Sequence, residues 1–325
     1  MMKVLVLGAT GMLGHRLFWG LDRLGYRVVG GVRRDVSATH PYCRFAVFSD
    51  RSRLVTGVDA FDLAGLRAQV RAIQPDVILN CIGVIKQRGE GQMSVPCIAL
   101  NALLPHVLEE IVSGWGGWLI HFSTDCVFKG DRGGYSEADP SDATDWYGRT
   151  KAMGEVQGSN ALTLRTSIIG RELTGHYSLV DWFLSQRGGA VKGYSRAIYS
   201  GITTREMVHV IDLLLREHPQ LRGLYQVASE PISKYELLCL IRDIAGLEIE
   251  IEMDKTTLCV DRSLSPERFF EATGYTAPAW PRMIAGLAED IELYQSTFGI
   301  PAVGKATEET AIRREDWFRC ETGSA

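Results

Sequence analysis

Three glycines at three-residue intervals directly follow the first apolar run of this chain. The run KVLVL is typical of a short strand and GMLGHRLFWGLDRLG carries helical spacing, so the glycines lie in the turn between them. Glycine permits a tight turn and lets N–H groups at the helix start approach a pyrophosphate, whose charge the helix dipole favours. The turn therefore predicts a dinucleotide-binding loop, with a purely structural turn as the alternative. The residues expected to hold the cofactor are Gly8, Thr10, Gly11, Met12, Leu13 and Gly14.

The glycine turn belongs to a longer alternation of strands and helices. The runs KVLVLG, YRVVGGV, DVILNCIG, GWLIHFS and ALTLRTS are short and continuously apolar, as parallel strands covered on both faces are. Amphipathic helical patterns separate them, and right-handed crossovers then give a doubly wound sheet. The predicted class is α/β, with a Rossmann-type doubly wound parallel sheet and a smaller C-terminal lobe.

The alternation loosens after about residue 169. Helices are predicted there at 177–187, 204–217, 233–245, 265–273 and 281–298, with short strands such as GLYQVA between them. We expect three segments: residues 1–168 as an NAD(P)-binding domain, residues 169–300 as a substrate-binding lobe, and residues 301–325 as a polar C-terminal tail. An alternative for the lobe is that part of it returns to the sheet.

Composition excludes several classes of protein. At 325 residues, 46% apolar and 23% charged, the chain can bury an ample core. Its 35 basic and 39 acidic residues nearly cancel and form no Lys/Arg-rich block, so we expect no nucleic-acid partner. We find no apolar run near the roughly 18 residues of a membrane span, and the N-terminal run is too short for a signal peptide core. We therefore expect a soluble, cytoplasmic protein without a membrane partner.

Cysteine and histidine usage argues against metal and disulfide sites. The seven cysteines are an odd number and contain no C-x-x-C pair, and several lie inside apolar runs as buried thiols do in a reducing compartment. The seven histidines show no H-E-x-x-H spacing. We expect neither a disulfide framework nor a zinc site and assign no residue to a metal, and the sequence leaves open whether a metal bridges subunits.

The end of the second strand, in VVGGVRRD, bears on the choice of dinucleotide. An acidic residue there would bind the ribose diol of NAD, whereas arginine suits the 2′-phosphate of NADP. Arg33 and Arg34 come first and Asp35 follows. Because guanidinium groups match phosphate geometry, the sequence favours NADP(H) over NAD(H). The alternative is that both arginines are exposed loop residues.

Tyr147 and Lys151 are four residues apart in DWYGRTKAMGE. In a helix such residues lie on one face and can reach a common point. A lysine ammonium beside a phenol favours the phenolate, and the positive nicotinamide of an oxidised cofactor would add to this effect, so we expect a lowered Tyr147 pKa. Taken alone, the pair also fits a half-buried tyrosine beside a solvated lysine.

Several motifs, in order, resemble those of the extended short-chain dehydrogenase/reductases, and among these the dTDP-4-dehydrorhamnose reductase (RmlD-like) group. They are GATGMLG, QPDVILNCIG, ALNALLPHVLEE, HFSTDCVFKG, YGRTKAMGE and LTLRTSIIG. The resemblance implies a catalytic triad of Thr124, Tyr147 and Lys151, with Lys151 also on the nicotinamide ribose. It also implies that the glycine loop holds the pyrophosphate and that a further group of residues lines the cofactor. These are Asp59, Ala60, Asn80, Cys81, Ile82, Gly83 and Ser123.

The sequence departs from related enzymes at the row Thr124-Asp125-Cys126. The similar dehydratases have Thr-Asp-Glu, and a thiol cannot replace the glutamate as base, so dehydration is disfavoured. The reductases more often have tyrosine in place of Cys126, which we interpret as a packing thiol, although all three residues of the row face the expected substrate. Further candidates for substrate contact are Lys86, Gln87, Arg196, Tyr199 and Arg262.

The resemblance implies NADPH-dependent reduction of a nucleotide-linked keto-deoxysugar in nucleotide-sugar and polysaccharide biosynthesis. Two alternatives remain. An epimerase of the same fold would show no net NADPH consumption, and a regulatory subunit like that of methionine adenosyltransferase would bind NADP without turnover. The sequence leaves open the sugar, the nucleotide and a homodimeric state.

Overall fold

The computed structural model describes residues 1–34, 43, 46–85 and 93–296. The first half of the chain contains β1 (Lys3–Leu7), α1 (Met12–Arg23), β2 (Arg27–Gly31), α2 (Ala46–Ser49), β3 (Leu54–Val55), α3 (Leu63–Ile73), β4 (Val77–Asn80), α4 (Ser94–Pro96), α5 (Leu104–Ser113), β5 (Trp118–Thr124), α6 (Trp146–Met153) and β6 (Ala161–Thr166). The second half contains β7 (Ile168–Ile169), α7 (Leu179–Leu184), β8 (Ala190–Tyr199), β9 (Ile202–Thr203), α8 (Thr204–Glu217), β10 (Gly223–Gln226), β11 (Ile232–Ser233), α9 (Lys234–Ile244), β12 (Glu250–Asp261), α10 (Glu267–Thr273) and α11 (Trp280–Ser296).

A seven-stranded sheet forms the centre of the fold, in the order β10-β6-β5-β4-β1-β2-β3. Every pair of neighbouring strands in it is parallel, which confirms the predicted doubly wound sheet. The chain moves outward from β1 to β2 on one side and returns to β4 on the other. In sheets of this kind a ligand binds at the carboxyl ends of the strands where the order reverses, here beside β1 and β4.

Alternate side chains of β1 enter different apolar cores. Val4 and Val6 pack in the core that includes side chains of α1, α8 and α11. Leu5 and Leu7 pack in the second core, with side chains of α3 and α5. All four are at most 1% exposed, and full burial of each stabilises the fold by about 1.5–3 kcal/mol. Helices on both faces explain why the strand has no polar alternation.

In the second half the five predicted helices are present, and α8 has the predicted bounds of 204–217. Two long strands were not predicted. β8 pairs with β12 in parallel and with β11 antiparallel, forming a separate three-stranded sheet. β12 is mostly exposed, and its sequence EIEMDKTTLCVD lacks a strong alternation of apolar and polar residues.

One helical run among the described residues, Ser94–Ser113, is long and apolar enough to cross a membrane by length and composition alone. It has 20 residues and a mean hydropathy of 1.4, although polar residues interrupt its apolar sequence. Half of that run is buried in the protein, as in the core helix of a globular domain. Its middle, Cys97–Leu103, is a π-helix, a rare form that is often found at functional sites.

Candidate active site

The glycine loop between β1 and α1 is closely packed. Gly8 has a φ of +74°, which favours glycine, and a Cβ there would lie 3.0 Å from the carbonyl oxygen of Cys81. A Cβ at Gly14 would lie 2.1 Å from the carbonyl oxygen of Gly8, so the helix can approach the strand only with glycine at this position. The Gly11 N–H donates to that same oxygen at 2.9 Å. These contacts explain the spacing of the three glycines.

The start of α1 suits an anionic ligand. Gly11 is the N-cap residue and has no side chain to satisfy the first N–H groups of the helix. No acidic residue occupies the first turn, and Thr10, Met12 and Leu13 are half-buried around it. A glycine cradle beneath a helix N-terminus fits the pyrophosphate of a dinucleotide. The assignment of these residues to the cofactor stays a prediction.

The predicted adenosine end of the site lies at the ends of β2 and β3. The Val58 N–H donates to the carbonyl oxygen of Val32 at 3.1 Å, so the residues that follow, Asp59 and Arg33, belong to adjacent segments. Arg33, Arg34 and Asp59 are exposed, whereas Ala60 is buried. This arrangement leaves the two guanidinium groups accessible, and Asp35 lies outside the described residues.

The segment after β4 is held by two buried amides. The Asn80 side chain lies 3.1 Å from Nδ1 of His121 and accepts from the Ile82 N–H at 3.2 Å. Asn101, in the π-helix, accepts from the Val84 N–H at 2.9 Å and donates to its carbonyl oxygen. Sequence analysis missed Asn101, although a polar residue within the apolar motif ALNALLP was a signal.

Cys81 and Gly83 belong to the same segment, and the sequence predicts that both lie along the cofactor. Cys81 is half-buried and burial raises the pKa of its thiol, so the thiol stays protonated. Gly83 is exposed, and a Cβ there would lie 3.1 Å from the Asn101 amide oxygen. The segment therefore presents backbone and small groups to the crevice beside β1.

Thr124 and Tyr147 meet at the carboxyl end of β5. Thr124 is buried, its hydroxyl donates to Asp125 at 3.1 Å, and it lies close enough to the Tyr147 phenol to affect its pKa. The N-cap residue Asp145 accepts from the Gly148 N–H at 2.9 Å and so fixes the start of α6. A Cβ at Gly148 would lie 2.3 Å from the carbonyl oxygen of Cys126, so the helix packs directly on the turn that follows β5. The two predicted catalytic hydroxyls are therefore adjacent.

Lys151, one turn further along α6, is also buried. Its ammonium donates to the carbonyl oxygen of Phe122 in β5. Burial lowers its pKa to about 8, while Glu155 and Cys81 act in the opposite direction. Lys151 therefore lies between β5 and the segment after β4, on the side of the predicted nicotinamide site.

The sequence predicted a lowered pKa for Tyr147. For the protein without cofactor this prediction is wrong. Burial raises the pKa of Tyr147, the neighbouring Cys126 adds to this effect, and the nearby Thr124 hydroxyl opposes it. Lys151 directs its ammonium at the strand carbonyl, so the cation does not offset the burial of the phenol. Tyr147 is consequently a protonated phenol at neutral pH.

Ser123 points away from these groups. Its hydroxyl donates to Glu155 at 2.6 Å, and Glu155 forms a buried ion pair with Arg165 at 2.7 Å. Glu155 closes the motif YGRTKAMGE, but sequence analysis assigned it no role. The pair joins the end of α6 to β6 and so holds Lys151 and Tyr147 against β5. The Ser123 side chain is therefore occupied, and the predicted contact of this residue with the cofactor stays a prediction.

The predicted substrate residues separate into three groups. Asp125 and Cys126 lie beside Thr124 and close to Tyr147. Arg262 is buried and donates from Nε and Nη2 to the carbonyl oxygens of Phe128 and Lys129, so these donors support the loop after β5. Arg196 is exposed on β8, and Lys86 and Gln87 lie outside the described residues.

Tyr199 is buried beneath another side chain, so its ring is not exposed to a substrate. Its ring is 3% exposed and lies under the ammonium of Lys234, 3.6 Å from the ring centroid. Sequence analysis missed Lys234, which carried no motif that would distinguish it from a surface lysine.

The reversed strand order, the glycine cradle and the adjacent Thr124, Tyr147 and Lys151 define a dinucleotide-binding protein of the short-chain dehydrogenase/reductase type. The family described as "RmlD substrate binding domain" matches residues 2–252, and the chain belongs to this family. This confirms the resemblance drawn from the motifs.

Curated relatives of the chain fall into more than one functional class. It is 24% identical over 261 residues to methionine adenosyltransferase 2 subunit beta of Xenopus laevis, covering 75% of this chain and 72% of that protein. It is 24% identical over 257 residues to the spore coat polysaccharide biosynthesis protein SpsK of Bacillus subtilis, covering 77% and 82%. It is 30% identical over 158 residues to dTDP-4-dehydrorhamnose reductase of Escherichia coli, covering 47% and 46%.

Solved structures share the fold. The dTDP-4-dehydrorhamnose reductase of Bacillus anthracis, crystallised with NADP, superposes with a TM-score of 0.72 at 20% identity, covering 89% of this chain and 99% of that one. WbmG of Bordetella bronchiseptica, crystallised with NAD, superposes with a TM-score of 0.73 at 17% identity, covering 94% and 97%. These neighbours show that the chain shares their fold.

Proposed function

We propose that this protein is an NADPH-dependent ketoreductase that acts on a nucleotide-linked keto-deoxysugar. The observation that carries the proposal is that Thr124 and Tyr147 are neighbours beside buried Lys151. They lie at the carboxyl ends of the strands, where the glycine loop also lies. Membership in a family with dTDP-4-dehydrorhamnose reductases among its relatives supports the substrate class.

Tyr147 is suited to donate a proton. Because its pKa is raised, it is a phenol at neutral pH, as a general acid for carbonyl reduction must be before the reaction. Thr124 donates a second hydrogen bond to the same carbonyl oxygen and so stabilises the charge that develops there. The cofactor, when bound, supplies the hydride.

Lys151 binds the cofactor in this proposal. Its ammonium, which donates to the Phe122 carbonyl oxygen, also holds the nicotinamide ribose. A pKa of about 8 keeps most of the lysine charged at neutral pH. Arg33 and Arg34, exposed at the end of β2, bind the 2′-phosphate and thereby favour NADPH.

A regulatory subunit is the second candidate, since the methionine adenosyltransferase 2 beta subunits match 75% of this chain. Such a subunit needs the nucleotide fold and no proton donor. The neighbouring hydroxyls of Thr124 and Tyr147 beside Lys151 therefore favour an enzyme.

NADPH oxidation with a panel of enzymatically generated 4-keto nucleotide sugars tests the proposal, with Tyr147→Phe as the blank. Turnover by the wild type that is lost in the variant supports a ketoreductase. Bound NADPH without oxidation across the panel contradicts it. Interconversion of two sugars without NADPH oxidation identifies an epimerase.

A further inference from the structure

Lys234 occupies a fixed position at the start of α9. The preceding residue, Ser233, forms a capping box with Glu236, with the Ser233 hydroxyl 2.8 Å from the Glu236 carboxylate and accepting from the Glu236 N–H at 3.1 Å. Ser233 also pairs with Ile198 across β11 and β8. The backbone that carries Lys234 is therefore held by both a helix cap and a sheet.

An aromatic platform orients the Lys234 side chain. Its ammonium lies 3.6 Å from the centroid of the Tyr199 ring, a distance at which a cation is attracted by the ring face. The Tyr199 ring packs in turn on Trp280, with centroids 5.6 Å apart. The ring beneath the ammonium is therefore itself supported by packing.

The charged groups around this ammonium come from the predicted reaction site. Asp125 and Cys126, from the turn after β5, attract its charge, and Arg262, beyond β12, opposes it. Burial outweighs these attractions and lowers the pKa of Lys234 to about 8. Asp125 and Cys126 directly follow Thr124, so the Lys234 charge lies near residues that the sequence predicts to contact the substrate.

The Lys234 ammonium keeps its donors available. Within the part of the chain that the structure describes, no hydrogen bond and no ion pair within 4.0 Å involves it, in contrast to Arg262, which donates to two backbone carbonyls. A half-buried ammonium that has lost water and gained no acceptor is poorly compensated. An oxygen-rich ligand in the site would supply the acceptors.

We propose that Lys234 is a substrate-binding residue that donates hydrogen bonds to hydroxyl oxygens of the sugar ring next to the carbonyl, an inference that rests on the proposed function. The opposite charges of Lys234 and Asp125 on one side of the site suit a neutral, hydroxylated ring, with the ammonium donating and the carboxylate accepting. A diphosphate is the less suitable ligand, since Asp125 would repel it.

Substitution of Lys234 by Met removes the ammonium and keeps much of the side-chain length. Lys234→Met should raise KM for the keto sugar nucleotide by about 10-fold to 100-fold, the effect of losing hydrogen bonds from a charged donor. The Kd for NADPH should stay unchanged. Lys255→Met, the same change at an exposed lysine on β12, should leave both constants unchanged. An unaltered KM in Lys234→Met overturns the inference.

Chemical labelling tests the same inference without turnover. An acylating reagent at neutral pH should modify the wild-type Lys234, whose lowered pKa leaves more of the amine uncharged, and mass spectrometry of peptides measures the extent. With NADPH bound, dTDP-glucose or UDP-glucose should protect Lys234, whereas dTDP, which has no sugar, should not.

The labelling outcomes separate this inference from the proposed function. One outcome is that the sugar nucleotides protect Lys234 while no sugar in the panel causes NADPH oxidation. That result contradicts the proposed reduction and leaves Lys234 as a sugar-binding residue. Turnover in the panel without protection of Lys234 overturns the inference alone. Protection by dTDP itself also overturns it, because Lys234 would then bind the diphosphate.

Discussion

The imidazole of His15 joins the glycine loop to the last described helix, with its Nε2 2.6 Å from the hydroxyl of Tyr294 in α11. The other ring nitrogen, Nδ1, lies 2.8 Å from the carbonyl oxygen of Gly11. Because a carbonyl can only accept, Nδ1 carries the proton and Nε2 accepts from Tyr294. Burial lowers the pKa of His15 to about 3, so the ring is neutral. The second half of the chain thus supports the proposed phosphate-binding turn.

Tyr294→Phe should weaken cofactor binding. The change leaves Nε2 of buried His15 without its donor, which costs about 1–3 kcal/mol of stability and loosens the Gly11 carbonyl. We expect the Kd for NADPH, measured by calorimetry, to rise by about 3-fold to 10-fold. Tyr275→Phe is the matched control, since it removes a hydroxyl that donates to Glu206 at 2.9 Å. Equal effects of both variants on Kd would contradict a specific support of the loop.

Tyr147→Phe should abolish most turnover and leave the cofactor bound. Loss of a general acid costs about 100-fold or more in kcat, because proton donation to the carbonyl oxygen stops. Steady-state kinetics and an NADPH titration measure the two quantities. Tyr225→Phe, at a half-buried tyrosine that packs on Phe269, serves as the control and should retain wild-type kcat. A kcat for Tyr147→Phe near that of the control would remove Tyr147 from the chemistry.

Lys151→Met should make the cofactor-free protein more stable near neutral pH. The folded-state pKa is lowered from 10.5 to about 8, so the unfolded chain binds more protons between these values and wild-type stability rises with pH across this window. Below it the full cost of burying the charge is present, and its removal should raise the free energy of unfolding by about 1–3 kcal/mol, partly offset by the lost hydrogen bond to Phe122.

Urea unfolding of wild type and Lys151→Met at a series of pH values measures this difference. The advantage of the variant should shrink as pH rises from about 8 to above about 10. Lys255→Met should show no such trend. A difference between Lys151→Met and wild type that does not vary with pH would mean that folding leaves the pKa of Lys151 unchanged, which contradicts its lowering by burial.

Replacement of Arg33 and Arg34 by alanine should remove the preference for NADPH. We expect KM for NADPH to rise by at least about 10-fold and KM for NADH to change little, because each lost guanidinium contact to phosphate is a charged hydrogen bond. Arg27→Ala, at the exposed start of the same strand, is the control. A wild type that prefers NADH would overturn the predicted cofactor choice before any substitution is made.

The sequence predicted those parts of the fold that local patterns determine. Runs such as the one around Leu5 and Leu7 are apolar on both faces, so strand type and sheet class followed directly. The strand β12 escaped prediction because most of its residues are exposed and polar, and β8 because it mixes buried and exposed residues without a regular alternation. Their positions depend on pairing with each other, which a local pattern does not contain.

The candidate site divides in the same way. Gly8, Gly14, Tyr147 and Lys151 were recognisable because backbone geometry and helical spacing restrict which residues can serve there. Lys234 was not recognisable, since only the packing of α9 on β8 brings its charge near Asp125, a residue far away in sequence. The pKa of Tyr147 is raised rather than lowered because of burial, which is a property of the whole fold.

Transfer of deuterium from NADPH labelled at the reactive position of the nicotinamide tests the central claim most directly. The wild-type protein, incubated with a 4-keto nucleotide sugar, should place one deuterium on the new carbinol carbon, and Tyr147→Phe should place almost none. Mass spectrometry and proton NMR of the product would show this label. A product formed without deuterium, or equal labelling by the Tyr147→Phe protein, would contradict a ketoreductase in which Tyr147 is the acid.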